Sequence, residues 1–205
     1  ELLDALPERI IGLCMAPQYS SLSIGAYMKK VEEARAELAS ETPISFVTSW
    51  HRHPLLIAAI VENIRRTLER FPAEVRAQVP VLFTAHSLPE RVVAMKDPYP
   101  EEVQGTAQAV CAQLGTQPTR FAYQSQGRSG EKWLGPSVEE TLGELAQEGH
   151  HHVLVAPIAF ITPICRRCCV TVAETTLTTR KMPMTRQTTA STVSNAIRRC
   201  RPHFS

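Results

Sequence analysis

Two hydrophobic periods alternate along this chain. Compact apolar runs, strand-like in length, occur at residues 9–16 (RIIGLCMA), 43–49 (PISFVTS), 79–83 (VPVLF), 120–124 (RFAYQ) and 153–161 (VLVAPIAFI). Between them the apolar positions recur at helical spacing. In 23–40, Ile24, Tyr27, Val31, Ala34 and Leu38 fall near one face, with Lys29, Lys30, Glu32, Glu33 and Glu37 mostly opposite. In 55–70, Leu56, Ile60 and Ile64 form a stripe flanked by Ile57, Val61 and Leu68, and Pro54 suits the first turn. Helices are also predicted over 101–114 and 138–148, the latter with a Ser137/Glu140 capping box and Gly149 as its stop.

Strand and helix thus alternate, which predicts an α/β fold: a parallel sheet with helices on both faces. Ligands of such sheets bind beyond the carboxyl ends of the strands. The polar exits there are Gln18-Tyr19-Ser20, Trp50–His53, His86-Ser87, residues 124–128 and whatever follows Phe160. The sharpest is VLFTAHSLP at 81–89, a buried-strand pattern that runs straight into His86. No internal repeat and no glycine-rich phosphate loop is present.

Composition narrows the class. The 205 residues suit one domain or slightly more, 43% apolar and 20% charged, as in ordinary globular proteins. A formal net charge of +2 argues against nucleic acid as a main partner. No apolar run reaches the roughly 20 residues of a membrane span, so no transmembrane segment is expected, and a peripheral membrane contact stays open. The first residues, ELLD, show no signal-peptide pattern and no initiator Met, so the chain is expected to begin within a longer protein. Cys14 and Cys111 read as small core thiols, and the expected compartment is the cytoplasm. From Ile161 onward Glu174 is the only acid, glycine vanishes, and Arg166, Arg167, Arg180, Lys181, Arg186, Arg198, Arg199 and Arg201 accumulate. Residues 161–205 therefore read as an anomalous basic, Thr/Cys-rich tail, aperiodic as an out-of-frame translation would be, and expected to be disordered or weakly structured.

Several residues carry chemistry, each with a plainer alternative. His86 at a strand exit suits a proton acceptor, a metal ligand or both, or else a hydrogen-bonded strand end. His51 and His53 flank Arg52 in a metal-like H-x-H, but read better as a polar helix entry; His150–His152 read as a solvated turn. Trp133, in WLGP, offers an aromatic pocket wall or core packing. Tyr27 reads by period as a packing residue, and Asp97 as a turn or capping residue. Cys165, Cys168 and Cys169, with Cys200, could hold zinc or an iron–sulfur cluster.

Residues 10–160 resemble the ferrochelatases, which insert Fe(II) into a porphyrin. The resemblance rests on motifs in register: APQYS at 16–20, SIGAY at 23–27, Ser49-Trp50 with Pro54, AHSLP at 85–89, DPYP at 97–100, Gln124-Ser125, WLGP at 133–136 and PIAF at 157–160. It implies a chelatase-like fold of two Rossmann-like lobes with the porphyrin between them, in heme biosynthesis. It makes His86 the catalytic and metal-site histidine, Tyr27 a porphyrin contact, and Trp133 a wall of the porphyrin pocket. Fe(II) is then a substrate and no resident cofactor is required.

The chain departs from the family pattern in two ways. Most of a first lobe is missing, so the expected division is 1–28 as the end of that lobe, 29–160 as the second lobe and 161–205 as the tail. After Phe160 the family continues as D-H-x-E-x-L-Y, whose glutamate faces the histidine; here the text is ITPICRRCC and no residue matches it. Without that partner the chain as given is expected to turn over near background. The rival expectations are a metal- or cluster-binding module through the cysteines and a non-catalytic tetrapyrrole-binding remnant; oligomeric state is open.

Overall fold

The computed structural model describes residues 7–127, 130–159 and 171–174. The elements run β1 (Ile10–Leu13), α1 (Ile24–Glu37), β2 (Ile44–Val47), α2 (Pro54–Leu68), α3 (Ala73–Arg76), β3 (Val81–His86), α4 (Arg91–Ala94), α5 (Tyr99–Leu114), β4 (Thr119–Gln124), α6 (Val138–Gln147), β5 (His152–Pro157) and β6 (Thr171–Glu174). Every element expected from the sequence is present. The short helices α3 and α4 and the strand β6 are additions, too brief to impose a period.

The strands form two sheets rather than one. β1 and β2 pair parallel with each other, Ile10 opposite Ile44. A separate sheet has the order β4-β3-β5-β6, parallel across its first three strands. The division between sheets falls after β2. β6 runs antiparallel to β5, with Val153 opposite Ala173. It adds one antiparallel edge to a sheet that is otherwise parallel. The free ladder edge of β5 accepts a segment whose Thr and Val suit an extended backbone.

β3 is the centre of the larger sheet, and its residues alternate between two cores. Val81 and Phe83 pack with Ile57, Val61, Ile64 and Leu68 of α2 and Val110 of α5. Leu82 turns the other way, onto Val138, Leu142 and Leu145 of α6. A strand buried on both faces reads as a continuous apolar run, which is why VLFTA shows no alternation in sequence. α2 starts where the sequence places it: Pro54 opens the helix and the His53 side chain accepts the Leu55 N–H at 3.3 Å. The Ser137/Glu140 capping box of α6 is also present.

The first sheet is barely covered. Of the apolar face expected on α1, only Ile24 is buried; Tyr27 is 62% exposed, and Val31 and Leu38 are exposed too. Ile11, Leu13 and Val47 on the paired strands, and Met15 just after β1, are likewise exposed. Two strands span only about 10 Å, too narrow to shield a helix of this length.

Candidate functional site

His86 is the last residue of β3, paired with Gln124 at the end of β4. The strand runs up to it as the sequence pattern predicts, so the histidine is held by the sheet ladder. Its neighbours on the strand are buried, while His86 itself is exposed. Its backbone is fixed on both sides: the Tyr99 hydroxyl donates to the His86 carbonyl at 2.8 Å, and the Ser87 N–H donates to the Gln124 carbonyl at 2.8 Å. Partial desolvation lowers the imidazole pKa below its ordinary 6.5. At neutral pH the ring is a free base, able to take a proton or offer a lone pair to a metal.

The segment after His86 is tied to the WLGP segment. Leu134 N–H donates to the Leu88 carbonyl at 2.8 Å, Glu90 N–H to the Lys132 carbonyl at 2.9 Å, and the buried Ser87 Oγ to the Leu134 carbonyl at 2.8 Å. AHSLP and WLGP are thus one paired structure, and Trp133 stands beside the His86 exit. Its indole lies against the Gly127 backbone, where a Cβ would come within 2.2 Å of the ring. Gly127→Ala is accordingly expected to push the indole aside. In a Trp50→Phe background the emission of Trp133 should shift while far-UV circular dichroism stays unchanged; identical emission would count against this packing.

The exits of β1 and β2 converge on the first turns of α5. Asp97 Oδ2 accepts from Ser20 Oγ at 3.1 Å, Ser21 N–H at 2.7 Å and Ser21 Oγ at 2.6 Å, while Oδ1 accepts the Tyr99 N–H at 3.0 Å. Glu102 Oε2 accepts the Tyr19 N–H at 2.6 Å and the Ser49 hydroxyl at 2.7 Å, with His51 Nδ1 at 2.8 Å from that hydroxyl. Buried Gln18 donates to Thr106 at 3.0 Å, and Thr106 donates to the His51 carbonyl at 3.0 Å. The PQYS, SW and DPYP motifs are therefore contacts that join one sheet to the other.

Burial pushes the Asp97 carboxyl up, but the hydrogen bonds from Ser21, the Tyr99 N–H and Ser20 outweigh it and hold the pKa below the ordinary value of 3.8. A depressed carboxyl pKa stabilises the fold above the unfolded value, and that stability is lost as pH falls through the folded one. Asp97→Asn is expected to cost about 1–3 kcal/mol at pH 7. The gap between the proteins should close as pH drops below about 4; a gap independent of pH in urea titrations would remove the charge from the explanation.

The expected site residues separate. His86 and Trp133 are brought to one exit. Tyr27 is mostly exposed on α1, so the packing reading fails and an open aromatic ring remains there. His51 and His53 do not form a metal pair: one joins the Glu102 cluster and the other caps α2. His152 is not a solvated turn residue, since its ring packs edge-on against Phe71 with centroids 5.8 Å apart. Cys14 and Cys111 are free thiols, partly buried rather than core. Cys165, Cys168, Cys169 and Cys200 lie outside the described residues, as does Phe160 with the segment that replaces the family's acidic motif. Among the described residues, no three of His, Cys, Asp and Glu converge as a metal set. Glu102 carried no signal in the sequence reading; an acid in the first turn of a helix is ordinarily a dipole partner.

The comparisons agree with the motifs. The family model described as Ferrochelatase matches residues 1–196. A ferrochelatase of Herpetosiphon aurantiacus is 47% identical over 153 residues, which cover 75% of this chain and 50% of the relative. One of Deinococcus radiodurans is 37% identical over 164 residues, 79% of the chain and 52% of the relative. A coproporphyrin III ferrochelatase of Listeria monocytogenes is 33% identical over 155 residues, 75% and 50% respectively. The chain spans about half the length of the curated relatives it matches. With the family match running through nearly all of its sequence, the chain belongs to the ferrochelatase family.

Proposed function

We propose that the protein to which these residues belong inserts Fe(II) into a porphyrin, protoporphyrin IX or coproporphyrin III, in heme biosynthesis. The observation that carries this is His86: a neutral imidazole at the carboxyl end of the central strand, within the matched region. Insertion breaks two pyrrole N–H bonds, releases two protons, and replaces the metal's water with four ring nitrogens. His86 takes a pyrrole proton or holds the incoming metal as its water leaves, and either step needs a lone pair close to the ring centre. Trp133 supports the flat apolar face of the macrocycle beside it, and the exposed Tyr27 ring is a second contact. No helix among the described residues is long and apolar enough to cross a membrane.

The test is anaerobic insertion of Fe(II), and of Zn(II) as a stable surrogate, into both porphyrins, followed by the loss of free-base fluorescence. Porphyrin binding is read separately from the Soret band. Binding accompanied by His86-dependent insertion supports the reading, and a protein that shifts the Soret band of neither porphyrin overturns it. The name of the Listeria relative specifies coproporphyrin III, so the ratio between the two substrates is the informative quantity.

A further inference from the structure

We propose that Asp97 and Tyr99 act together as positioning residues that make the direction of the His86 ring depend on the seating of the loop after β1. The inference rests on the metal-insertion reading of His86. A continuous path of hydrogen bonds carries it. Ser20 and Ser21, at the exit of the first sheet, donate to Asp97 Oδ2; Oδ1 of the same carboxylate holds the Tyr99 N–H; the Tyr99 hydroxyl ends on the His86 carbonyl. Ser20 is fully buried and Asp97 is 7% exposed, so water competes little for these contacts.

The last contact bears on orientation. The Tyr99 ring packs with Ala85, Val92, Val103, Tyr123 and Leu134, a setting a phenylalanine ring would fill equally well. Only the hydroxyl reaches His86. Burial, followed by the proximity of Tyr123 and Asp97, drives the Tyr99 pKa far above the usual phenol range, against the opposing contact with His86. The phenol therefore remains a donor at every pH of interest. With the carbonyl of His86 held by Tyr99 and the following N–H held by Gln124, the peptide plane after His86 is fixed from opposite sides. That plane sets where the imidazole leaves the strand. A displaced loop at 20–21 pulls on Asp97, and through it on the backbone that carries Tyr99.

The test reads His86 directly, in the chain as it stands. The ring Cε1–Hε1 cross-peaks of the histidines are recorded by NMR, His86 being assigned by its loss in His86→Ala. The variants are Tyr99→Phe, Asp97→Asn and the double variant Ser20→Ala/Ser21→Ala, each checked for an unchanged amide fingerprint away from the site. The His86 cross-peak is expected to shift or split in all of them, while His150 and His151, at the opposite end of the sheet, stay in place. The serine variant is the decisive arm, because those side chains touch Asp97 and not the His86 strand. An unmoved His86 signal in the serine variant overturns the proposal, as does an unmoved signal in Tyr99→Phe, and these two decide the matter if Asp97→Asn does not fold. The signal does not depend on turnover, so a failure of the metal-insertion reading appears separately, as insertion unaffected by His86→Ala.

Discussion

In the protein to which these residues belong, replacing His86 with alanine is expected to lower metal insertion about 100-fold or more, the usual contribution of a positioned proton acceptor. Porphyrin binding should be nearly unchanged. A single imidazole adds little to the area that holds a macrocycle, whereas its lone pair is needed only as N–H bonds break. The loss should therefore fall on kcat rather than KM. The acid limb of the wild-type rate should lie below pH 6.5, because desolvation lowers the His86 pKa and keeps the free base available further into acid. The variant should lack that limb. His53→Ala is the matched control: that side chain caps a helix, and its loss should leave the chemical step alone. Insertion by His86→Ala within threefold of the parent rate would remove His86 from the mechanism.

Phe83→Ala is the substitution expected to cost most stability, about 3–5 kcal/mol. Phe83 lies in the middle of β3, 2% exposed, flanked by β4 and β5 and packed under α2 and α5. Removing its ring leaves a cavity that strands held on both sides cannot collapse to fill. Against a typical total of about 5–15 kcal/mol, the loss would bring a domain of this kind close to unfolding. Leu55→Ala provides the contrast, since that side chain is 74% exposed and its loss should change stability by less than about 0.5 kcal/mol. Urea titrations with unchanged slope and separated midpoints would show this, and coincident midpoints for the two variants would place the core elsewhere.

Much of the molecule was legible in its residues. The apolar run VLFTA identifies a strand covered on both faces, and His86 follows it directly. The stripe of α2 and the Ser137/Glu140 cap are local patterns, and local patterns survive folding when helix period and packing agree. The family motifs were readable too, but their physical purpose was not. Asp97 reads locally as a turn residue, and its N–H contact with Tyr99 bears that out. Its other oxygen serves serines 76 and 77 positions away, a juxtaposition no window of sequence contains. Glu102 was silent for the same reason. Tyr27 shows the converse error: its spacing matches a buried face, but period reports only that a face exists, not that anything covers it.

By itself the sequence determined the alternation of strands and helices, the central strand, the histidine at its end and the family. These follow from side-chain period and from motifs that are contiguous in the chain. Only the tertiary structure decided that the strands divide into two sheets, that β6 adds antiparallel to the edge of β5, and that AHSLP pairs with WLGP. It alone placed the carboxylates of Asp97 and Glu102 between the two sheets. Each depends on backbone pairing or buried charge satisfaction between distant segments, and the free energy of such contacts belongs to the assembled fold rather than to any stretch of it.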